Sequence, residues 1–256
     1  MRDSLRMPDY LQRINMDSTW LVVMDGVRFL VDPWLVGTET DGFKWLNRQW
    51  HVQSVMPPES VPEFDAILIT QPYDDHCHIA TLKELYKGKP VFADRRGYGK
   101  IKKHLPDADL HRVNEKTREI VRFKGVEFYL SPTDMLYNGC LIRSAGKSVL
   151  YLPHGIEIKD RYVKHFPSPV DVVLTSASTF TLPFWLGGKV AKGIENVKQV
   201  QRLFGPGQIF TTHDEPKDGI GLVSRLAKKY YPTQAEFTEQ LGRHAHIVHS
   251  HEPQPF

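Results

Sequence analysis

The chain has 256 residues, of which 41% are hydrophobic and 25% are charged, a composition typical of a globular protein. Its formal net charge is +3, from 33 basic and 30 acidic residues without a long basic run, so composition does not favour a nucleic-acid partner. Two cysteines exclude a disulfide framework and favour a reducing compartment; we expect the cytoplasm, or an organellar stroma in a plant.

The first half of the chain predicts a β-hairpin followed by two strand–helix pairs. Asp25-Gly26 is the turn signal of the hairpin, and Gly88 is placed to cap the first helix. The predicted elements are strands at 19–24, 27–32, 64–70 and 90–94, helices at 79–88 and 97–105, and an irregular loop at 43–64.

The second half repeats this order. Two strands flank Lys124-Gly125, and a second hairpin follows at 139–153. The remaining predicted elements are strands at 169–178 and 208–213 and helices at 193–204 and 219–230. The His-rich segment 243–256 is predicted to be a flexible tail. No linker separates the halves, so we expect residues 1–256 to form a single domain of two packed sheets with helices outside.

Residues 1–18 and the rest of the chain lack the apolar runs that targeting or membrane insertion requires. The N-terminal segment has no apolar core of signal-peptide length, and no window approaches 18 uninterrupted apolar residues. We therefore expect no signal peptide and no membrane partner.

The most informative stretch is Asp74-Asp75-His76-Cys77-His78, directly after the apolar strand at 64–70. One interpretation is that Asp74 or Asp75 caps the following helix, since a carboxylate accepts free N–H groups of the first turn. Capping does not explain the two histidines. The other interpretation is a metal site at the carboxyl end of a buried strand, where α/β structures commonly bind ligands.

Two further histidines follow apolar strands. His154 comes after the strand of the second hairpin, and His213 comes after the strand at 208–213. Each alone is more typical of an ordinary loop residue. Together with His76 they would reach the same sheet edge from three different strands, as a metal site requires.

Other site types have weaker signals. Neither a Gly-rich phosphate loop nor a G-x-S-x-G elbow occurs. Cys77 lies between two histidines and is a minor alternative as a catalytic thiolate. The histidines of the tail are interpreted as an adventitious metal binder.

The order of "VDPWLVG", "AILITQPYDDH", "SVLYLPHG" and "IFTTHDE" resembles the metallo-β-lactamase fold superfamily over nearly the whole chain. The resemblance implies a four-layer αββα sandwich of two mixed β-sheets with helices on the outer faces, and a cleft that holds one or two metals. The sequence is similar to an uncharacterised branch found in plants and photosynthetic bacteria.

The usual T-H-x-H-x-D-H motif of this superfamily is degenerate here. Its aspartate and last histidine match Asp75 and His76, whereas Gln71 and Tyr73 replace the first two histidines. The intermediate histidine is also missing, and Asp134 is the nearest substitute. One of the two metal half-sites is thereby lost.

The resemblance thus implies one divalent metal ion held by Asp75, His76, His154 and His213, with His154 in the place of the usual bridging aspartate. Zinc is the expected ion, and iron or manganese is compatible with the same ligands. His78 is an alternative for one ligand position.

The residues around this set suggest candidate catalytic roles. Asp74 or Asp214 would act as general base or as a partner of a ligating histidine. Tyr73 would donate to a developing oxyanion.

We expect a hydrolase that cleaves an ester, lactone, amide or phosphoester of a small-molecule substrate with metal-activated water. The alternatives are a non-catalytic ligand-binding member of the fold and a mononuclear iron oxygenase. Metal content would distinguish the hydrolase from the non-catalytic binding protein. Oxygen-dependent turnover would identify the iron oxygenase. The sequence does not indicate an oligomeric state.

Overall fold

Strands and helices alternate through both halves of the chain. The structure, a computed structural model, describes residues 8–40, 42–155 and 158–256. The strands are β1 (Tyr10–Arg13), β2 (Trp20–Met24), β3 (Val27–Val31), β4 (Glu39–Thr40), β5 (Arg48–Trp50), β6 (Ala66–Ile69), β7 (Val91–Ala93), β8 (Leu110–Arg112), β9 (Val121–Phe123), β10 (Val126–Pro132), β11 (Asn138–Ser144), β12 (Lys147–Leu152), β13 (Val172–Thr175), β14 (Thr179–Thr181), β15 (Lys189–Lys192), β16 (Gln208–Thr211), β17 (Asp218–Ile220), β18 (Lys228–Tyr230), β19 (Ala245–His246) and β20 (Gln254–Pro255). The helices are α1 (Ile79–Leu85), α2 (Arg95–His104), α3 (Asp160–Val163), α4 (Ile194–Phe204), α5 (Leu222–Leu226) and α6 (Gln234–Leu241).

Two seven-stranded sheets form the centre of the molecule. The first has the order β20-β1-β2-β3-β6-β7-β8 and the second β19-β16-β13-β12-β11-β10-β9. In the first sheet β1, β2 and β3 are antiparallel, whereas β3, β6, β7 and β8 run parallel. The second sheet repeats this plan, antiparallel from β9 to β12 and parallel from β12 through β13 and β16 to β19. Two small three-stranded sheets, β15-β14-β18 and β17-β5-β4, complete the strand pairing.

The main core lies between the two large sheets. Alternate residues of each strand point inward, as the two-residue period of a strand requires. The first sheet contributes Trp20 and Phe29 to this layer, and the second contributes Phe128, Ile142 and Tyr151, all of them buried.

Helices cover the outer faces of both sheets. Leu82 of α1 and Ile101 of α2 pack on the first sheet, and Phe204 of α4 packs on the second. Each strand at the centre is therefore buried on both sides, which explains why β6 is apolar without alternation. The four-layer αββα sandwich of two mixed sheets is confirmed.

The predicted helix at 219–230 is wrong. The segment forms β17, the short helix α5 and β18, because β17 pairs with β5 and β18 pairs with β14. Gly221 has φ of +111°, and a Cβ there would lie 2.7 Å from the carbonyl oxygen of Leu46. This close approach separates β17 from α5. The segment 43–64, predicted as irregular, supplies β5 to the small sheet that also contains β17.

The predicted flexible tail at 243–256 is also wrong. β19 extends the second sheet beside β16, and β20 extends the first sheet beside β1. Val248 is buried, and its carbonyl oxygen accepts a 2.7 Å hydrogen bond from Nη1 of Arg13. Backbone pairing, which histidine content does not encode, orders this segment.

Across the part of the chain that the structure describes, every helix is too short or too polar to cross a lipid bilayer.

Candidate metal centre

The polar residues of interest follow strands that end at the same side of the sandwich. Asp32 comes directly after β3 and His76 follows β6, and these two strands are parallel. His154 follows β12 and His213 follows β16, which also run parallel through β13. Because parallel strands deliver their carboxyl ends to one edge, the four side chains meet in the cleft.

Three imidazoles form what we call the histidine cluster (His76, His154 and His213). One ring nitrogen of each lies within 4.8 Å of the others, and the Nε2 atoms of His76 and His154 are 3.1 Å apart. Oδ2 of Asp75 lies 3.4 Å from Nε2 of His76 and 3.9 Å from Nδ1 of His213. The structure thus brings together all four residues predicted as metal ligands; that they bind a metal remains a prediction.

Asp32 holds His76 in one orientation. Its carboxylate accepts hydrogen bonds from the backbone N–H and the hydroxyl of Thr70 at 2.7 and 2.6 Å, and from Nδ1 of His76 at 2.7 Å. With Nδ1 held by Asp32, Nε2 is the ring nitrogen that faces the cluster. A carboxylate behind a histidine in this way is the usual support of a metal ligand.

A second group, the lysine cluster (Asp17, Glu39 and Lys217), lies beside the first. Nζ of Lys217 is 2.9 Å from Oδ2 of Asp17 and 3.2 Å from Oε1 of Glu39, and all three side chains are nearly buried. Oδ1 of Asp17 lies 3.3 Å from Nδ1 of His213. Asp17, Asp75 and His213 also form a second group of ligand atoms within 4.8 Å.

The charges at the cleft act strongly on the histidines. Burial opposes a proton on His76, but the carboxylates of Asp75 and Asp32 outweigh burial and raise the pKa of His76 to about 9. Burial and the neighbouring His76 hold the pKa of His154 well below its usual value. The carboxylates that favour a proton on His76 would equally favour a metal cation in its place.

The side chains fit a bound metal ion. Nε2 of His213 is buried and has no hydrogen-bond partner among the described residues, a costly state that a metal would relieve. His213 also has a positive φ of 54°, which is uncommon outside glycine and is typical of functional positions. Three imidazoles and a carboxylate suit zinc, iron or manganese.

The candidate catalytic residues lie at different distances from this cluster. Tyr73 lines the cleft, but its hydroxyl donates to the carbonyl oxygen of Leu136 over 3.4 Å. Oδ1 of Asp74 instead pairs with Nζ of Lys100 at 2.6 Å, and Oδ2 accepts from the backbone of Thr40. The structure does not bring Asp74 into the cleft lining.

Asp214 is buried behind the cluster. Its Oδ2 is 3.3 Å from Nη1 of Arg13 and accepts a hydrogen bond from the hydroxyl of Thr211. Burial raises the pKa of Asp214 although Arg13 opposes the shift. This carboxyl group supports the Arg13 side chain and does not face the cleft, so neither aspartate proposed as general base is positioned for that role.

The residues that follow His76 have structural roles. Neither Asp74 nor Asp75 caps α1; the imidazole of His78 does, by accepting from the backbone N–H of Thr81. His78 is therefore not available as a substitute ligand. Cys77 is fully buried, and burial raises the pKa of its thiol to about 12, which disfavours the thiolate form that a nucleophile requires.

The missing half-site is filled by groups that are poor metal ligands. The side-chain amide of Gln71 is buried without a partner for its oxygen or nitrogen among the described residues. Asp134, the nearest substitute for the intermediate histidine, accepts from the backbone N–H groups of Leu136 and Tyr137 in a turn. The hydrogen bonds of the Asp134 carboxylate are therefore made within its own turn.

Sequence reasoning missed Asp17, Asp32, Glu39 and Lys217. Asp32 had a usable signal, since it directly follows a strand and precedes Pro33. The other three lie in stretches without a motif, and only the folding of distant segments brings them together. Their roles depend on side chains more than 170 positions apart, as in the contact of Lys217 with Glu39.

A cavity of about 510 Å³ opens beside the histidine cluster, within the size range of small-molecule sites. Asp17, Asp75, His154 and His213 line one part of it. Leu46, Phe180, Leu182, Val190, Val223 and Lys229 line another part. Polar groups therefore converge at one place in an otherwise largely apolar wall.

Solved structures with the same fold include metal-dependent enzymes. An isothiocyanate hydrolase from Delia radicum gut bacteria matches with a TM-score of 0.70 and 16% identity, over 96% of this chain and 99% of that one. Igni18, a metallo hydrolase from Ignicoccus hospitalis, matches with 0.70 and 16%, over 98% and 99%. CmlA, a diiron beta-hydroxylase from Streptomyces venezuelae, matches with 0.68 and 18% over 97% of this chain, which spans only 54% of that protein. At these identities the likeness concerns the fold.

The sequence itself identifies the family. No protein of curated function matches the sequence. The family model described as a beta-lactamase superfamily domain matches residues 15–213, which include the histidine cluster, Asp17, Asp32 and Asp75. The four strand ends that carry these side chains all lie within the match. The chain therefore belongs to the beta-lactamase superfamily domain family, with the metallo-β-lactamase fold.

Proposed function

We propose that this protein is a metal-dependent hydrolase of a small organic molecule, with one divalent ion held by Asp75, His76, His154 and His213. The observation that carries the proposal is the convergence of three imidazole nitrogens within 4.8 Å, one of them oriented by Asp32. Zinc is the expected ion, and iron or manganese suits the same ligands.

Two features support one ion instead of two. Gln71 and Tyr73 occupy the motif positions where the superfamily usually has histidines. In the lysine cluster, the ammonium group of Lys217 already neutralises Asp17, the carboxylate that could join Asp75 and His213 around a second ion. A second cation at this place would meet the repulsion of a buried positive charge.

The residues of the chain hold and orient the reacting groups. When bound, a divalent ion supplies a Lewis acid and a water whose pKa falls to about 7. Asp32 holds Nδ1 of His76 and so directs Nε2 to the cleft, and Asp17 contacts Nδ1 of His213. Apolar side chains make up much of the cavity wall beside these groups. The bond cleaved would be that of an ester, lactone, amide or phosphoester.

The test combines metal analysis with histidine substitutions. Protein purified without chelator should contain about one ion per chain, and His76→Ala and His213→Ala should lower that content at least tenfold. His111→Ala is the matched control, since His111 is half exposed, pairs with Asp109 and stacks on Phe92 away from the histidine cluster. Hydrolysis of a panel of small esters, lactones and phosphoesters should follow metal content.

Three results would overturn parts of this proposal. Equally little metal in the wild type and both variants would remove the metal site and favour a non-catalytic binding protein. A wild type that holds two ions would remove the single-ion proposal. Iron near one per chain together with oxygen-dependent turnover would replace hydrolysis by oxygenation.

A further inference from the structure

The cavity beside the histidine cluster has an apolar wall that the metal chemistry does not use. Phe180 belongs to β14, and Leu182 and Val190 lie on either side of the turn that joins β14 to β15. Leu46 and Val223 line the cavity opposite, linked by a 2.9 Å backbone hydrogen bond. This wall is large enough to cover the apolar body of a small molecule.

One cation in this wall lacks a carboxylate partner. Nζ of Lys229 donates to the amide oxygen of Gln49 at 3.0 Å and lies 5.7 Å from the ring centroid of Phe180. Within residues 8–40, 42–155 and 158–256, no carboxylate lies within ion-pair distance of Lys229. Burial and the nearby Lys217 lower the pKa of Lys229 more than the carboxylates of Glu39 and Asp17 raise it, so an anion directly beside Lys229 would offset an existing electrostatic cost.

Lys217 differs from Lys229 although both line the cavity. Lys217 is neutralised by Asp17 and Glu39 in the lysine cluster. Removing an ammonium group partly from water without a counter-ion is costly, and Lys229 is half-buried. Lys229 is therefore the cationic group of this wall that is open to an anionic ligand.

Exposed aromatic side chains lie beside the residues that line the cavity. Phe43 and Trp45 stack with their rings nearly parallel and 5.9 Å apart, between the lining residues Gly42 and Leu46. Phe184, 91% exposed, and Trp185 follow the lining residue Leu182. Exposed apolar groups beside a cavity are typical of ligand-binding surfaces.

We propose that this cavity binds an amphiphilic organic anion, whose apolar body lies along Phe180, Leu182 and Val190 and whose anionic group pairs with Lys229. Charge complementarity and the apolar wall together select this class over neutral or fully polar molecules. The identification of this ligand as the substrate rests on the proposed function. Its binding to the cavity does not depend on the proposed function.

Alkyl sulfonates test the binding without any reaction, because they have no hydrolysable bond and are weak metal ligands. Calorimetry on the protein as purified would compare octane-1-sulfonate with ethanesulfonate, which lacks the apolar chain, and with octan-1-ol, which lacks the charge. We expect octane-1-sulfonate to bind at least about tenfold more tightly than either.

Substitutions on β18 separate Lys229 from general charge effects. Lys229→Met should weaken octane-1-sulfonate about tenfold and leave octan-1-ol unchanged, whereas Lys229→Arg should retain most of the affinity. Lys228→Met is the matched control, since the neighbouring Lys228 is exposed on the other side of the strand, and it should bind as the wild type does.

Two outcomes would overturn this inference. One is octane-1-sulfonate binding no more tightly than octan-1-ol. The other is equal binding by the wild type and Lys229→Met. Because octane-1-sulfonate does not react, its binding is independent of hydrolytic activity. A protein without hydrolytic activity could still confirm this inference, and a protein with normal activity could still contradict it.

Discussion

The histidine cluster and the lysine cluster lie side by side at one sheet edge but differ in whether they already contain a cationic side chain. In the first, three ring nitrogens face one another and His213 retains a buried nitrogen without a partner. In the second, the ammonium of Lys217 lies within ion-pair distance of both Asp17 and Glu39. The first is thus incomplete without a cation, whereas the second carries its own.

This difference bears on the proposal that the centre holds one metal ion in a fold that can hold two. Loss of histidines removes ligands from a site but leaves acidic groups that still attract cations. A lysine among those acidic groups weakens that attraction as well. We infer that Gln71, Tyr73 and Lys217 act together to limit the centre to one ion.

The largest expected effect is that of Lys217→Met, which removes the ammonium group that pairs with the buried carboxylates of Asp17 and Glu39. Removing one partner of a buried ion pair costs about 3–5 kcal/mol, so the chelator-treated variant should melt well below the wild type. Added zinc should restore stability and raise metal content to about two ions per chain. Lys229→Met, which leaves the Asp17–Lys217 pair intact, is the control.

An unchanged metal content in Lys217→Met, with the protein folded, would contradict the role given to this lysine. Elemental analysis and thermal melts with and without zinc measure both quantities on one preparation.

The next effect is that of Asp32→Asn, which keeps the shape of the side chain but removes its charge. Carboxylates behind a ligating histidine contribute about 10–100-fold to metal affinity, and we expect a loss in that range. Competition with a chromogenic chelator measures the affinity. Asp134→Asn, at a carboxylate that only holds a turn, should leave it unchanged. Equal losses in both variants would remove the special role of Asp32.

The pH dependence of metal binding gives a third prediction. The pKa of His76 is raised from 6.5 to about 9, so below that pH a metal must displace a proton. Metal affinity should therefore increase with pH, about tenfold per unit, and level off near pH 9. Isothermal titration in buffers from pH 6 to 10 measures this slope.

The metal-free protein should respond to pH in the opposite direction. Since the folded-state pKa of His76 is the higher one, its contribution to stability is fully present below pH 6.5 and is lost as pH rises through about 9. Melting of chelator-treated protein should show this decline. A flat profile would mean that His76 is not charged in the metal-free state.

The smallest expected effect concerns a helix outside both clusters. The hydroxyl of Thr233 accepts from the backbone of Glu236, and the Glu236 carboxylate accepts from the backbone of Thr233, a capping box at the start of α6. Thr233→Ala should cost about 1 kcal/mol of unfolding free energy and leave metal content unchanged. A loss of metal in Thr233→Ala would show that reduced stability alone lowers metal content. The metal contents of the other variants could then not be assigned to their side chains.

Much of the fold could be predicted because its signals are local. Asp25-Gly26 closes the first hairpin as expected, and the apolar run at 64–70 forms a strand with two buried faces. Segments whose partners are distant could not be predicted. The sequence predicts one helix over residues 219–230, yet pairing with β5 and β14 places both ends of the segment in strands and leaves only Leu222–Leu226 helical.

The site divides in the same way. The histidines after β6, β12 and β16 could be brought to one edge from the sequence because parallel strands share a direction. The positions of Asp74 and Asp214 could not, since an ion pair with Lys100 and a contact with Arg13 draw them away from the cleft. Orientation of a carboxylate depends on which distant cation it meets.

The sequence by itself determined the sandwich, the edge at which ligands gather and the identity of the three imidazoles, because hydrophobic period and motif order are written along the chain. Only the tertiary structure decided which carboxylates support those imidazoles, which cation occupies the neighbouring place and which lysine is open to a ligand. Each of these depends on charges in close contact from remote segments, and electrostatic interactions in a buried cleft are set by distances in space.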